Sequence, residues 1–240
     1  MMILKESLLI ERSSSEITNI KEQELKRKSD LKALQAQINP HFLYNTLDSI
    51  IWMGEMGQNK EVVLMTSALS KLFRISMSKG REFITISDEI AHVESYLIIQ
   101  KMRYKDKFEY SIEIDPDLYS STILKITLQP LVENAIYHGI KEVDHKGTIR
   151  ITGEEQDGNI KLEVIDNGKG MTKNEMEELN NSLNISTDSS RLSRYGMGVH
   201  NVHERIQLYF GVDFGLSYFP AGGGGTRIIV LIPSRPMEVL

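Results

Sequence analysis

Two runs of apolar residues at helical spacing, joined by a short turn, constrain the N-terminal part of this chain more than any other feature. Leu25, Leu31, Leu34 and Ile38 recur with a helical period, and the pattern predicts a helix from about Glu16 to Met56. Met56 to Lys60, MGQNK, is a turn signal through Gly57 and Asn59. Val62, Val63, Leu69, Leu72, Phe73 and Ile75 form the second run, which stops near Lys79-Gly80. The pair predicts an antiparallel helical hairpin. A lone hairpin has too little core, so it should dimerise into a four-helix bundle. A purely structural coiled coil would carry the same pattern.

Inside the first run lies QAQINPHFLYNTL, Gln35 to Leu47. Pro40 cannot donate to the carbonyl of Ala36 and clashes with it, so the helix is expected to bend or loosen there. Leu31, Leu34, Ile38 and Phe42 make one stripe, with His41 and Asn45 one turn apart at its edge. That places the imidazole on the flank of the bundle. Imidazole is largely neutral near pH 7, so a ring nitrogen lone pair is available as a nucleophile. Taken by itself, His41 reads equally well as an ordinary surface histidine.

Ser87 and Asp88 are expected to cap a third helix, running to about Arg103. After Asp106 the texture changes. Phe108 to Ile114 alternates like a strand, as do TIRITGE and IKLEVID on either side of the turn Gln156-Asp157-Gly158-Asn159. Pro130 is expected at the first position of a helix reaching Ile140. Residues 171–195 are polar and lack strong periodicity, which predicts a lid or a disordered segment. A helix from Gly198 to Tyr209 and the strands GLSYF and TRIIVLI, with GGGG between them, close the chain. The expected division is a signalling helix or linker over 1–30, the histidine-bearing hairpin over 31–80, a connecting helix over 81–105 and a mixed α/β domain over 106–240.

Composition narrows the function. A net charge of −5 argues against non-specific nucleic-acid binding. The absence of cysteine excludes disulfides, thiolate catalysis and zinc-thiolate sites, and suits a reducing cytosol. No run of about eighteen apolar residues offers a membrane span. MMILKESLLI is too short and too charged for a signal peptide, and equally fits the stub of a longer chain.

Three clusters in the C-terminal half carry chemistry. In ENAIYHG, Asn134 and His138 share one helix face; an amide oxygen suits Mg²⁺, and His138 could reach phosphate. In DNGKG, Asp166 ends an apolar strand and is followed by two glycines, as expected where a ligand approaches the backbone. Its carboxylate can accept the amino proton of adenine. In YGMGVHN, Gly196 and Gly198 precede a helix whose N-terminus can hold phosphate. Each cluster alone also fits an ordinary solvated helix, turn or loop. Their order is more specific than any of them. An Asn helix, a strand ending in DxGxG, a polar lid, a GxG helix and a final GGT strand resemble the Bergerat ATP-binding fold of the GHKL superfamily. That superfamily includes gyrase, Hsp90, MutL and histidine kinases. The resemblance covers roughly residues 106–234 and implies an α/β two-layer sandwich. It also implies Mg²⁺ on Asn134, adenine on Asp166, a pocket shaped by Gly168 and Gly170, phosphates near Gly196 and Gly198, Thr226 near the adenine, and a lid over 171–195.

QINPHFLYNTL is similar to the phosphoacceptor box of the LytS/YesM-type sensor histidine kinases, which extends the resemblance to nearly the whole chain from about Leu25. The family implies His41 as phosphoacceptor, MgATP as phosphoryl source, a homodimer, and a response regulator receiver domain as partner. Where many histidine kinases have an acidic residue after the acceptor, this chain has Phe42. Asp48 and Glu133 are then candidate bases, and Asn45 a candidate to orient the imidazole or a water. Rival readings are a GHKL ATPase acting as a conformational clamp through Glu133, an anti-sigma-type serine kinase, and a non-catalytic dimer module. The histidine box, the helical hairpin and the intact nucleotide motifs weigh against each in turn.

Overall fold

The alternating segments of the C-terminal half form a five-stranded sheet. In the computed structural model, residues 40–77, 81–183 and 197–234 are described. Contacts divide the chain into two compact units, Met1–Ser49 and Ile50–Leu240. In the second unit the long strands are β2 (Phe108–Ile114), β4 (Gly147–Gln156), β5 (Asn159–Asp166), β6 (Gly215–Pro220) and β7 (Thr226–Pro233). Their order is β2-β4-β5-β7-β6, with β2 parallel to β4 and the other pairs antiparallel. The hairpin β4–β5 turns at Asp157-Gly158, both at positive φ, as the sequence predicts. One sheet face is apolar: Ile149 and Ile151, Leu162 and Val164, Ile228 and Val230 are all buried. Helices cover that face, making the two layers expected from the sequence.

The helices are α1 (Pro40–Glu55), α2 (Asn59–Ser76), α3 (Ile86–Tyr104), α4 (Leu128–Asn134), α5 (Lys173–Leu183) and α6 (Met197–Phe210). A short antiparallel pair, β1 (Phe83–Thr85) with β3 (Thr122–Leu124), ties the loop before α3 to the loop before α4. The turn between α1 and α2 falls where MGQNK places it. Helix α2 buries Met65, Ala68, Leu69 and Leu72, and its main packing partner is α3. Because α3 is covered so broadly, polar side chains such as Glu89, His92 and Gln100 are drawn into the interior. Pro40 is the first residue of α1; the residues before it, over which the bend was expected, the start of the first helix near Glu16 and the stop at Lys79-Gly80 lie outside the described residues.

Three boundaries differ from the sequence reading. The cap of α3 is Thr85, whose Oγ1 accepts from the Asp88 amide at 3.1 Å, rather than Ser87 or Asp88. A β-bonded Phe83–Thr85 feeds the helix directly, so it starts earlier. Pro130 is the third residue of α4, not the first; any of the first-turn positions tolerates a missing N–H. The helix starts at Leu128 because the Glu89 carboxylate accepts from the amides of Ile126, Thr127 and Leu128 at 2.7–2.9 Å. Finally, Lys173–Leu183, read as part of an aperiodic lid, is the helix α5, with Met176, Leu179 and Leu183 buried beside β6. Thr172 and Glu175 cap it reciprocally. The rest of the expected lid, 184–195, lies outside the described residues.

Candidate functional site

Strand β5 carries its alternation to the last residue. Ile160, Leu162 and Val164 point into the core, and Asp166 is next on the same face. A carboxylate is thereby set at the end of an apolar stripe. Burial raises its pKa from the usual 3.8 to about 6, although backbone N–H groups of Gly168 and Thr226 hydrogen-bond it and favour the charged form. The Gly168 amide donates to Oδ1 at 2.8 Å. Thr226 opens the equivalent stripe of β7 and is buried as well.

Four glycines let the backbone close around this carboxylate. A Cβ on Gly139 would stand 2.9 Å from Asp166 Oδ1, and one on Gly168 would stand 2.3 Å from the carbonyl carbon of Gly139. Gly170 has φ +66 and faces Gly225; a Cβ on Gly225 would meet the Asp166 carbonyl oxygen at 2.0 Å. The Lys169 amide donates to the Gly139 carbonyl at 3.2 Å. Only residues lacking Cβ permit this crossing of three loops.

Above it opens a cavity of about 370 Å³, within the range of roughly 300–1,000 Å³ that small-molecule sites occupy. Asp166, Gly139 and Thr226 form its buried floor, and Asn134 is half-buried in its wall. His138, Glu142, Lys169 and Glu175 stand at its exposed rim. After Asn134 the helix widens into a π turn over Ala135–Gly139, a distortion often found at functional sites, and this turn contributes His138 and Gly139.

Of the residues singled out from sequence, the structure brings Asn134, His138, Asp166, Gly170 and Thr226 to one cavity, with Gly168 directly behind. Glu133 is not among the lining residues. Its carboxylate accepts from Gln129 Nε2 at 2.8 Å and pairs with Tyr96 on α3, and burial raises its pKa. Gly198 is exposed in the first turn of α6, where a Cβ would lie 3.5 Å from that of Pro130. Gly196 lies outside the described residues. His41, in the first unit, is exposed on α1, and the Asn45 amide nitrogen stands 3.0 Å from Nε2 and 3.2 Å from Nδ1. Asn45 thus stands against the imidazole from one turn away. Asp48 is exposed on the same helix.

The sequence reading missed Gly139, Glu142, Gly225 and Glu175 as site residues. Gly139 and Gly225 were inside the quoted motifs but not distinguished from their neighbours. Glu175 had a signal in Thr-x-x-Glu; Glu142 had none.

The cavity fits a nucleotide: it pairs an acceptor-only carboxylate on a tight glycine floor with an amide in the wall. An adenine amino group matches the first. Among the described residues no cluster of three or more His, Asp or Glu could hold a metal unaided, so Asn134 suits an ion that brings most of its ligands with it, as Mg²⁺ does with phosphates.

Comparison with known proteins agrees with this chemistry. Residues 29–108 match the family described as histidine kinase. Residues 121–236 match the family of histidine kinase-, DNA gyrase B- and HSP90-like ATPases. The chain belongs to the sensor histidine kinases of the LytS/YesM type. It is 37% identical to the sensor histidine kinase YesM of Bacillus subtilis over 90% of its own length and 35% of YesM. It is 30% identical to the sensor protein LytS of Bacillus anthracis over 89% of its length and 36% of LytS. The chain therefore spans about a third of these relatives. Among solved structures, a catalytic domain of histidine kinase ThkA aligns with a TM-score of 0.48 at 18% identity, covering 65% of this chain and all of that one.

Proposed function

We propose that this chain is the kinase portion of a two-component sensor: it transfers the γ-phosphoryl group of ATP to His41 and then passes it to an aspartate of a response regulator. The observation that carries the reading is Asp166, a buried carboxylate on a glycine-walled floor, in a chain that also presents His41 braced by Asn45. Asp166 accepts the adenine amino proton, and Thr226 closes the same corner. Gly168 and Gly170 let the base lie close to the backbone. Gly198, at the N-terminus of α6, lies at the phosphates, a role that the motif order gives to Gly196 as well, and His138 reaches toward them. Asn134 would hold Mg²⁺, which when bound would neutralise charge on the transferring phosphate.

At the other reactant, the Asn45 amide nitrogen stands against the His41 ring. The one ring nitrogen that carries a lone pair attacks phosphorus while the other holds the ring proton; an N–P bond forms, the bond to the β–γ bridging oxygen breaks, and ADP leaves. The ring proton is then lost to a base. Asp48 is placed on the acceptor helix, while Glu133, tied to Gln129 and Tyr96, serves the reading less well than its sequence position suggested. The regulator's aspartate next displaces the phosphoryl group from His41.

Two copies form the working unit. Tyr44, Leu47 and Ile51 on α1, Met56 in the turn after it, and Val63 and Leu64 on α2, are exposed apolar side chains that a second copy would cover in a four-helix bundle. No helix among the described residues is long and apolar enough to cross a membrane, and we place this portion on the cytoplasmic side of a membrane sensor.

The test is the chemical nature of the product. The purified chain is incubated with Mg²⁺ and γ-labelled ATP, and the label is challenged with acid and alkali, then offered to a receiver domain. Acid-labile, base-stable label that moves to the receiver supports the reading. ATP hydrolysis without protein label would favour the ATPase clamp, and acid-stable label would favour a serine kinase.

A further inference from the structure

The segment Lys125–Leu128, just before the Asn134 helix, is held from three helices. From α3, Glu89 accepts the amides of Ile126, Thr127 and Leu128. From α6, Arg205 Nη2 donates to the carbonyls of Lys125 and Ile126 at 2.7 and 3.2 Å. From α2, the last-turn carbonyl of Ser76 accepts from Lys125 Nζ at 2.9 Å, and the Ser76 hydroxyl stands 2.8 Å from His92 Nε2 on α3. Glu89, His92 and Ser76 are buried.

The backbone at the centre of this clamp is unusual. Ile126 has φ +59. A β-branched residue in the left-handed region is a conformational outlier that persists only where its surroundings over-determine it. Glu89 and Arg205 do so by gripping the two sides of the same peptide segment. Such placement is more than a core needs. An apolar residue at 89 and a shorter loop would bury the same space without three charged groups taken out of water.

We propose that Glu89 is a positioning residue for the nucleotide site: with Arg205 it fixes the first turn of α4 and so presents Asn134 to the metal–phosphate end of the ligand. The proposal rests on the reading of Asn134 as the Mg²⁺ contact and of Asp166 as the adenine contact. Glu89 touches neither metal nor nucleotide. It acts on the helix that carries Asn134 and leaves the Asp166 floor, which hangs from β5 and β7, as it was. Glutamine at 89 keeps the volume but turns one acceptor oxygen into a donor aimed at backbone N–H groups, so the first turn loses its hold.

The test separates the two ends of the ligand. Wild type, Glu89→Gln and Arg205→Lys are titrated with adenosine, with ATP alone, and with ATP and Mg²⁺. In Glu89→Gln, adenosine affinity is retained while the gain in ATP affinity on adding Mg²⁺ falls about tenfold or more, the size typical when a group supporting a metal ligand is lost. Arg205→Lys keeps the charge but not the reach and planar geometry that set Nη2 between the two carbonyls, and should move the Mg²⁺-dependent gain in the same direction by less. It carries the test if Glu89→Gln does not fold. A folded variant that keeps the Mg²⁺-dependent gain, or loses adenosine and MgATP affinity in parallel, overturns the proposal. Wild type that binds neither adenosine nor ATP overturns the nucleotide reading itself, and the proposal with it.

Discussion

Asp166 illustrates how one residue trades stability for binding. Its pKa is raised in the fold, from 3.8 to about 6, so the folded state binds more protons than the unfolded state between those values. Its favourable contribution is present below pH 3.8 and is lost as pH rises through about 6, leaving a cost on the order of 3 kcal/mol at neutral pH. Asp166→Asn escapes this dependence. Thermal melts should show the variant gaining on wild type as pH is raised from 4 to 7. On the proposed reading the charged form is also the one that accepts from adenine, so ATP affinity of wild type should fall as pH drops through about 6. Titration calorimetry across that interval checks it; a flat profile would remove Asp166 from the adenine contact. The glycines around it divide by what they meet. Gly225→Ala drives a methyl into backbone at φ +81 and should cost at least about 1–3 kcal/mol of stability. Gly139→Ala first meets the Asp166 carboxylate, a side chain and not backbone, so the melt should move less than for Gly225→Ala while ATP affinity drops.

At the scale of elements, legibility followed the range of the cause. The hairpin turn at Asp157-Gly158, the alternation of β2, β4 and β5 and the turn at Gly57 are local, and the sequence reading places all of them. The start of α4 is not local. It depends on Glu89, some forty residues earlier, so Pro130 was assigned the first helical position when it holds the third. Helix α5 is a different failure: Met176, Leu179 and Leu183 at helical spacing, with Thr172 and Glu175 ahead of them, were overlooked within a polar segment. The cap is worth about 1 kcal/mol. Thr172→Ala should therefore lower protection of the α5 amides in hydrogen exchange and leave β4 and β5 unaffected. In the candidate site, five residues that the motif order singled out, Asn134, His138, Asp166, Gly170 and Thr226, line one cavity. Gly139 and Gly225 matter through loops that cross only in three dimensions, which no linear spacing encodes.

For the whole molecule, the exposed apolar side chains of α1 and α2 set an expectation of assembly. Ile51 and Leu64 are each more than half exposed. Ile51→Glu with Leu64→Glu should convert a dimer into a monomer in sedimentation analysis, without lowering ATP affinity, because neither residue lines the nucleotide cavity. The same variant asks whether a monomer can still phosphorylate itself. The central claim, however, is that ATP held in this cavity phosphorylates His41. The most direct measurement is the time course of label from γ-labelled ATP into wild type, His41→Ala and Asn134→Ala with Mg²⁺ present. The account predicts label in wild type alone, with His41→Ala still binding ATP as tightly as wild type. Label that accumulates in His41→Ala would contradict it, because the acceptor would then be another residue.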